Sequence, residues 1–235
     1  MSWKSVALVW AGLFLVCSGC VAEDSPPEGV SQRVFAEMPD EIDPSARYLL
    51  YLHGRIIEEQ GVRPTHPRFG VYEYEETLET FADLGFVVIS EVRPSGADVA
   101  TWAERVAGQV KLLVGAGVPP EQITVVGFSK GGAIAIFTSS MLADDRLNFV
   151  FIGACGPWVE GQPDLVPRGR LLALRESSDD LVGSCSELFA RGGNGGERRE
   201  VVTDLGGGHG AFYRPRPEWV EEVMEWTAPG DRGSP

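Results

Sequence analysis

The chain has 235 residues, 43% hydrophobic and 23% charged, which suits one sizeable core and excludes wholesale disorder. Its net charge of −14 repels phosphate backbones, and no basic tract offsets that repulsion, so nucleic-acid binding is disfavoured. Three histidines (His53, His66, His209) and four scattered cysteines give little scope for a metal site built from paired ligands, and none is expected.

The first twenty residues, MSWKSVALVWAGLFLVCSGC, place Lys4 before an apolar stretch from Val6 to Cys17. A bilayer span needs about 20 apolar residues, so this shorter run suits the core of a secretory signal. Its ending, Ser18-Gly19-Cys20, resembles a bacterial lipobox, in which the cysteine is lipidated. Cys17 departs from that pattern, which prefers an aliphatic residue there, and cleavage after Ala22 is the alternative. Cys17 and Cys20 also spell CxxC, a coincidence at the end of a signal rather than a redox pair. Residues 21–31 are acidic, Pro-containing and aperiodic, the composition of a short tether before a domain over residues 32–230. The expectation is an exported protein, lipid-anchored through Cys20, or periplasmic or secreted if Cys20 is unmodified. Any membrane contact would run through that anchor.

Beyond the tether, short apolar runs alternate with helical patterns. Tyr48–Leu52 reads as a strand ending at His53-Gly54, and residues 55–70 read as a polar connection. A helix is expected over 73–84, stopped by Gly85, then a strand over Phe86–Ser90. Val99, Trp102, Val106, Val110 and Leu113 have helical spacing, with Asp98 as N-cap, and Pro119-Pro120 breaks the pattern. Ile123–Val126 is a fully apolar strand leading through a glycine-rich turn into a helix to about Leu142. Further strands are expected at Phe149–Ala154, Leu171–Leu174 and Glu200–Thr203. A last helix opens at Pro217, with Trp219, Val223 and Trp226 as its buried face. Strands joined by helices and lacking strict alternation predict an α/β fold, a mainly parallel sheet covered on both faces. Neither a spaced GxGxxG nor a GxxxxGK[ST] occurs, so no nucleotide or other cofactor is expected.

Gly127-Phe128-Ser129-Lys130-Gly131 fits GxSxG, a pattern that chance alone yields about 0.2 times in such a chain. Its setting between an apolar strand and an apolar helix adds weight, because a sharp turn there holds a serine side chain exposed. With this context residues 45–228 resemble an α/β-hydrolase, whose signature is this nucleophile elbow. The family order of nucleophile, acid and histidine is met by Ser129, Asp179 and His209, and His53-Gly54 resembles the family's HG oxyanion motif.

The resemblance implies a serine hydrolase acting on a small acyl substrate. Ser129 needs a base, and His209, in a Gly-rich loop after the last strand, fits that role better than His53 or His66. The acid is Asp179 or Asp180, with Glu176 behind them. Backbone N–H groups of Lys130 and of the turn at Gly54 and Arg55, most simply Arg55, would meet the oxyanion. The side chains of Arg55 and Lys130 raise the further possibility of a substrate carboxylate near the scissile bond. Only 16 residues separate Ala154 from Leu171, too few for a large helical lid, so a shallow, open pocket is expected unless residues 55–72 fold over it. In the implied fold Cys155 and Cys185 emerge at the same sheet edge and are expected to form a disulfide that tethers the acid loop. Thioesterase, peptidase and acyltransferase activities use the same triad. A catalytically silent binding lipoprotein is the alternative from another class, and would be expected to lack a triad member.

Overall fold

The computed structural model describes residue 1 and residues 33–228, apart from 160 and 193–195. The signal core, Cys17, the lipidation candidate Cys20 and the 21–31 tether lie outside the described residues. The strands are β1 (Val34–Phe35), β2 (Arg47–Leu52), β3 (Thr65–His66), β4 (Gly70–Val71), β5 (Phe86–Ile89), β6 (Ile123–Phe128), β7 (Asn148–Ile152), β8 (Arg170–Glu176) and β9 (Arg198–Thr203). The α-helices are α1 (Arg55–Gln60), α2 (Tyr74–Asp83), α3 (Val99–Gly115), α4 (Lys130–Leu142), α5 (Ser186–Arg191) and α6 (Pro217–Thr227).

Seven strands form one sheet in the order β1-β5-β2-β6-β7-β8-β9, with every pair parallel. Strand side chains alternate between two apolar layers. Leu50, Val125, Phe149 and Leu171 face the helices α3, α4 and α5. Leu49, Val126, Val150 and Leu172 face α1, α2 and α6, where Trp219 is fully buried. Burial on both faces explains why these strands read as continuous apolar runs. Asp98 caps α3 by accepting from the Thr101 N–H at 2.8 Å.

The chain runs outward from β2 to β5, then returns across β2 to build β6 through β9. The order therefore reverses between β2 and β6, and in open parallel sheets the crevice beyond such a reversal is where ligands bind. His53-Gly54 follows β2 and Ser129 follows β6, so both sides of this crevice carry motif residues.

One stretch differs from the sequence expectation. Residues 55–70 are not a simple connection: they hold the six-residue α1 and an antiparallel two-strand ribbon, β3 with β4. Alone, α1 is too short to nucleate. Its buried Ile57 and Glu58, packed beneath β2, stabilise it instead. The expected strand at Phe149–Ala154 stops at Ile152, because Gly153 turns the chain with a positive φ of 52°. Between β7 and β8 the described residues hold one 3-10 turn, Pro157–Val159, and no inserted helical domain.

Candidate active site

Ser129 sits between β6 and α4 with φ 54° and ψ −118°, a left-handed backbone that costs a non-glycine residue on the order of 1–3 kcal/mol. Two backbone hydrogen bonds hold it there. Its N–H donates to the Ile152 carbonyl at 2.8 Å, and its own carbonyl accepts from Ala133 N–H at 3.1 Å. Glycine at 131 is a steric requirement, since a Cβ would overlap the Leu52 carbonyl oxygen and drive α4 off the sheet. Ser129 is thus raised above the sheet edge and lines the cleft there.

His209 lies in the 3-10 turn Gly208–Tyr213, which follows β9. Its Nδ1 is 2.7 Å from Asp179 Oδ2, and the Asp179 side chain has no exposed surface. Asp179 is oriented in turn by the Leu181 N–H, which donates to Oδ1 at 3.0 Å. A carboxylate accepts only, so Nδ1 carries the proton of this bond, and the neutral imidazole then has its lone pair on Nε2. Asp180, the alternative acid, points elsewhere: it is mostly exposed and pairs with Arg68 at 3.1 Å, which holds its pKa below the usual value. Glu176 is fully buried and serves both loops at once. It accepts from Thr203 Oγ1 at 2.7 Å, Leu205 N–H at 2.9 Å and Gly206 N–H at 3.2 Å on the histidine side, and from Ser178 Oγ at 3.1 Å on the acid side. Burial pushes its pKa up, but these hydrogen bonds outweigh burial and leave it lowered.

On the other side of the crevice the HG turn approaches the serine closely. A Cβ at Gly54 would stand 3.7 Å from Ser129 Cβ and 3.1 Å from the Phe128 ring. Arg55 and Lys130, whose N–H groups are the expected oxyanion donors, are the first residues of α1 and α4 and line the same cleft. First-turn N–H groups have no acceptor within their own helix. Their side chains are otherwise engaged. Arg55 stands 3.4 Å from Glu59, largely exposed, while Lys130 Nζ donates to buried Glu58 at 2.6 Å.

Glu58 also accepts from Arg93 Nε at 2.9 Å, and Arg93 is itself buried. Nothing in the sequence marked this pair, beyond an acid following the apolar Ile56-Ile57 one turn past the HG motif. Burial, then the positive charge of Arg93, lowers the pKa of His53 to about 3, so its ring is neutral.

The cleft has two lobes meeting at Ser129 and His209. One, about 560 Å³, is lined by Gly54, Arg55, Gln60, His66, Phe69 and Tyr213 among others. The other, about 460 Å³, is mostly apolar, with Ala133, Phe137, Ala154, Trp158 and Val182. The ribbon thus does reach over the site, and Phe69 lies against His209 and Tyr213. Cys155 and Cys185 are joined by a disulfide with a Cα–Cα distance of 5.2 Å. The bridge braces the apolar lobe, since Gly183 N–H also donates to the Cys155 carbonyl at 2.8 Å.

No family model matches the chain, and no curated protein sequence matches it significantly. Solved structures do. A protein described as a dienelactone hydrolase from Klebsiella pneumoniae superposes with a TM-score of 0.56 at 14% identity, over 82% of this chain and 90% of that one. A protein described as a carboxylesterase from Lactobacillus plantarum gives 0.54 at 15% identity, covering 80% and 90%. A thermophilic esterase from Thermogutta terrifontis, solved with butyrate bound, gives 0.52 at 14% identity, covering 83% and 90%. The chain has the α/β-hydrolase fold.

Proposed function

We propose that this α/β-hydrolase-fold chain is a serine hydrolase that cleaves a carboxylic ester through an acyl-enzyme. The observation that carries the reading is the Asp179–His209 hydrogen bond beside a serine held in a left-handed elbow, all at one cleft. Nε2 of His209 takes the Ser129 proton as Oγ attacks the ester carbonyl, and Asp179 stabilises the imidazolium that results. The tetrahedral oxyanion accepts hydrogen bonds from the N–H groups of Lys130 and Arg55. Collapse expels the alcohol, which takes the proton back from His209, and water then repeats the sequence on the acyl-Ser129 ester.

The esterase and dienelactone hydrolase descriptions of the structural neighbours support an ester over a peptide substrate. The two lobes suit one apolar and one more polar group flanking the scissile bond. Export, with or without a lipid on Cys20, is part of the proposal, and the Cys155–Cys185 bridge supports an oxidising compartment.

The test is labelling with a fluorophosphonate followed by a panel of short p-nitrophenyl esters. Wild-type protein should label on Ser129 and turn over esters. Ser129→Ala should lose both while keeping its fold, because the hydroxyl carries chemistry rather than packing. Hydrolysis by Ser129→Ala at the wild-type rate would overturn the assignment.

A further inference from the structure

A continuous chain of polar contacts runs beneath the cleft from one expected oxyanion donor to the other. It starts at Lys130, whose Nζ donates to Glu58 Oε2 at 2.6 Å. The second oxygen of Glu58 accepts from Arg93 Nε at 2.9 Å. Arg93 meets His53 at three points: its backbone N–H donates to His53 Nε2 at 3.0 Å, its Nη2 donates to the His53 carbonyl, and the same Nη2 stands 3.1 Å from Nδ1. Because Nε2 accepts and the ring is neutral, Nδ1 bears the proton and donates to the Gly54 carbonyl at 2.9 Å. The Ile57 N–H donates to the same carbonyl at 3.3 Å.

The Gly54–Arg55 peptide is planar and trans, so fixing its carbonyl fixes the Arg55 N–H in the opposite direction. Side chains of Glu58 and Arg93 have at most 1% exposure, and that of Lys130 has 17%. Burying two cations and one carboxylate costs more desolvation than an apolar trio of similar volume, which makes a purely structural role an expensive solution.

We propose that Glu58 is a positioning residue that sets the separation and direction of the two oxyanion donors, by coupling the residue after the nucleophile to the HG turn. The inference rests on the serine-hydrolase reading above. Its rival is a field effect: the trio carries a formal net charge of +1, which by itself would favour an oxyanion.

The two accounts predict opposite signs for one substitution. Glu58→Gln keeps the shape but breaks the ionic coupling and raises the net charge to a formal +2. Positioning predicts that kcat for p-nitrophenyl acetate falls about 10- to 100-fold with KM within about threefold, since small displacements of donors cost transition-state stabilisation. A field effect predicts unchanged or higher kcat. Lys130→Met keeps the backbone N–H and removes the other link, and it should also lower kcat. The double variant should be no slower than Glu58→Gln alone, because both changes cut the same chain.

Rates of Ser129 phosphonylation by the fluorophosphonate should fall in parallel. If Glu58→Gln does not fold, wild-type kcat and phosphonylation rate in Lys130→Met overturn the proposal, and Lys130→Arg, which keeps the charge but alters the contact with Glu58, separates the accounts: positioning predicts a fall and a field effect predicts none. Wild-type kcat in folded Glu58→Gln, or effects of the two single variants that simply multiply, would also overturn it while leaving the hydrolase reading intact. A wild-type protein that neither labels nor turns over would overturn both.

Discussion

Two buried glutamates hold the two halves of the cleft, and they do so by different chemistry. Glu58 sits among cations, Arg93 and Lys130, on the side of Ser129 and the HG turn. Glu176 sits among neutral donors, backbone N–H groups and hydroxyls, between the acid loop and the histidine loop. The first half is built where a strand runs straight into a helix, so packing against the sheet brings the main chain into place and the buried ions, on the proposal above, set the aim of its N–H groups. The second half lies on the loops after β8 and β9, outside the regular strands and α-helices. There the backbone is held by the hydrogen bonds converging on Glu176 and by the Cys155–Cys185 bridge. Regular elements need little help to present a side chain; loops need a carboxylate hub and a covalent tie.

The largest effect expected on the loop half comes from the proposed catalytic acid. Asp179→Asn should lower kcat by about 10³- to 10⁴-fold, because an amide no longer holds the histidine tautomer or its cation. Asp180→Asn, which loses only an exposed pair with Arg68, should change kcat less than about twofold. Steady-state kinetics on the two variants decide it, and a reversed order would move the catalytic acid to the neighbouring residue.

Next comes the bridge. Its sequence separation of 30 corresponds to about 3 to 4 kcal/mol in the chain-entropy model, lost on reduction. Denaturant unfolding with and without reductant measures that loss, and kcat should fall as the acid loop loosens while phosphonylation of Ser129 remains detectable. If reduction leaves kcat untouched, the bridge serves stability alone and the loop half is held by Glu176.

The smallest effect separates the halves by pH. The folded pKa of His53 is lowered to about 3, so the unfolded chain takes up a proton below about 6.5 that the folded chain refuses. This stability is complete above about pH 6.5 and drains away as pH falls toward 3, by roughly 1.4 kcal/mol per pH unit at most. Glu176 is also lowered, so its contribution is complete above the unfolded glutamate value near 4.3 and declines only below it. Unfolding free energies at pH 7 and pH 5 should therefore drop less in His53→Gln than in wild type, by on the order of 1–2 kcal/mol. Glu176→Gln should not alter that interval. Equal slopes for His53→Gln and wild type would show that the HG side is insensitive to this ring.

The division between halves also explains what was legible in the sequence. Apolar runs marked β2, β5, β6, β7 and β8 to within a few residues, since strands buried on both faces leave an unbroken signature. Helical spacing marked α3 and α6 because each buries only one face, which leaves a three- and four-residue apolar period. The elbow was readable because its glycines are demanded by contact with the sheet. On the loop half the sequence favoured Asp179 as the acid but left Asp180, and Glu176 behind it, open, as neighbouring carboxylates differ by which way a turn aims them. Here the Asp179 N–H donates to the Glu176 carbonyl at 3.1 Å, closing the turn that sends Asp179 inward. Glu58, Arg93 and the ribbon carrying Phe69 were invisible because their positions depend on partners far along the chain: Arg93 and Glu58 are 35 residues apart, and Lys130 and Glu58 are 72.

The all-parallel sheet has a consequence for how the protein comes into being. No pair of its strands forms a hairpin, so no part of it can zip up locally as the chain is synthesised. β2 can pair with β5 but lacks its other neighbour until β6 is made, and the elbow gains its tie to Ile152 only once β7 has docked. The histidine arrives after β9. Such long-range pairing is slow and leaves strand edges open meanwhile, so this chain should fold late, as one unit, with its cleft among the last features to close.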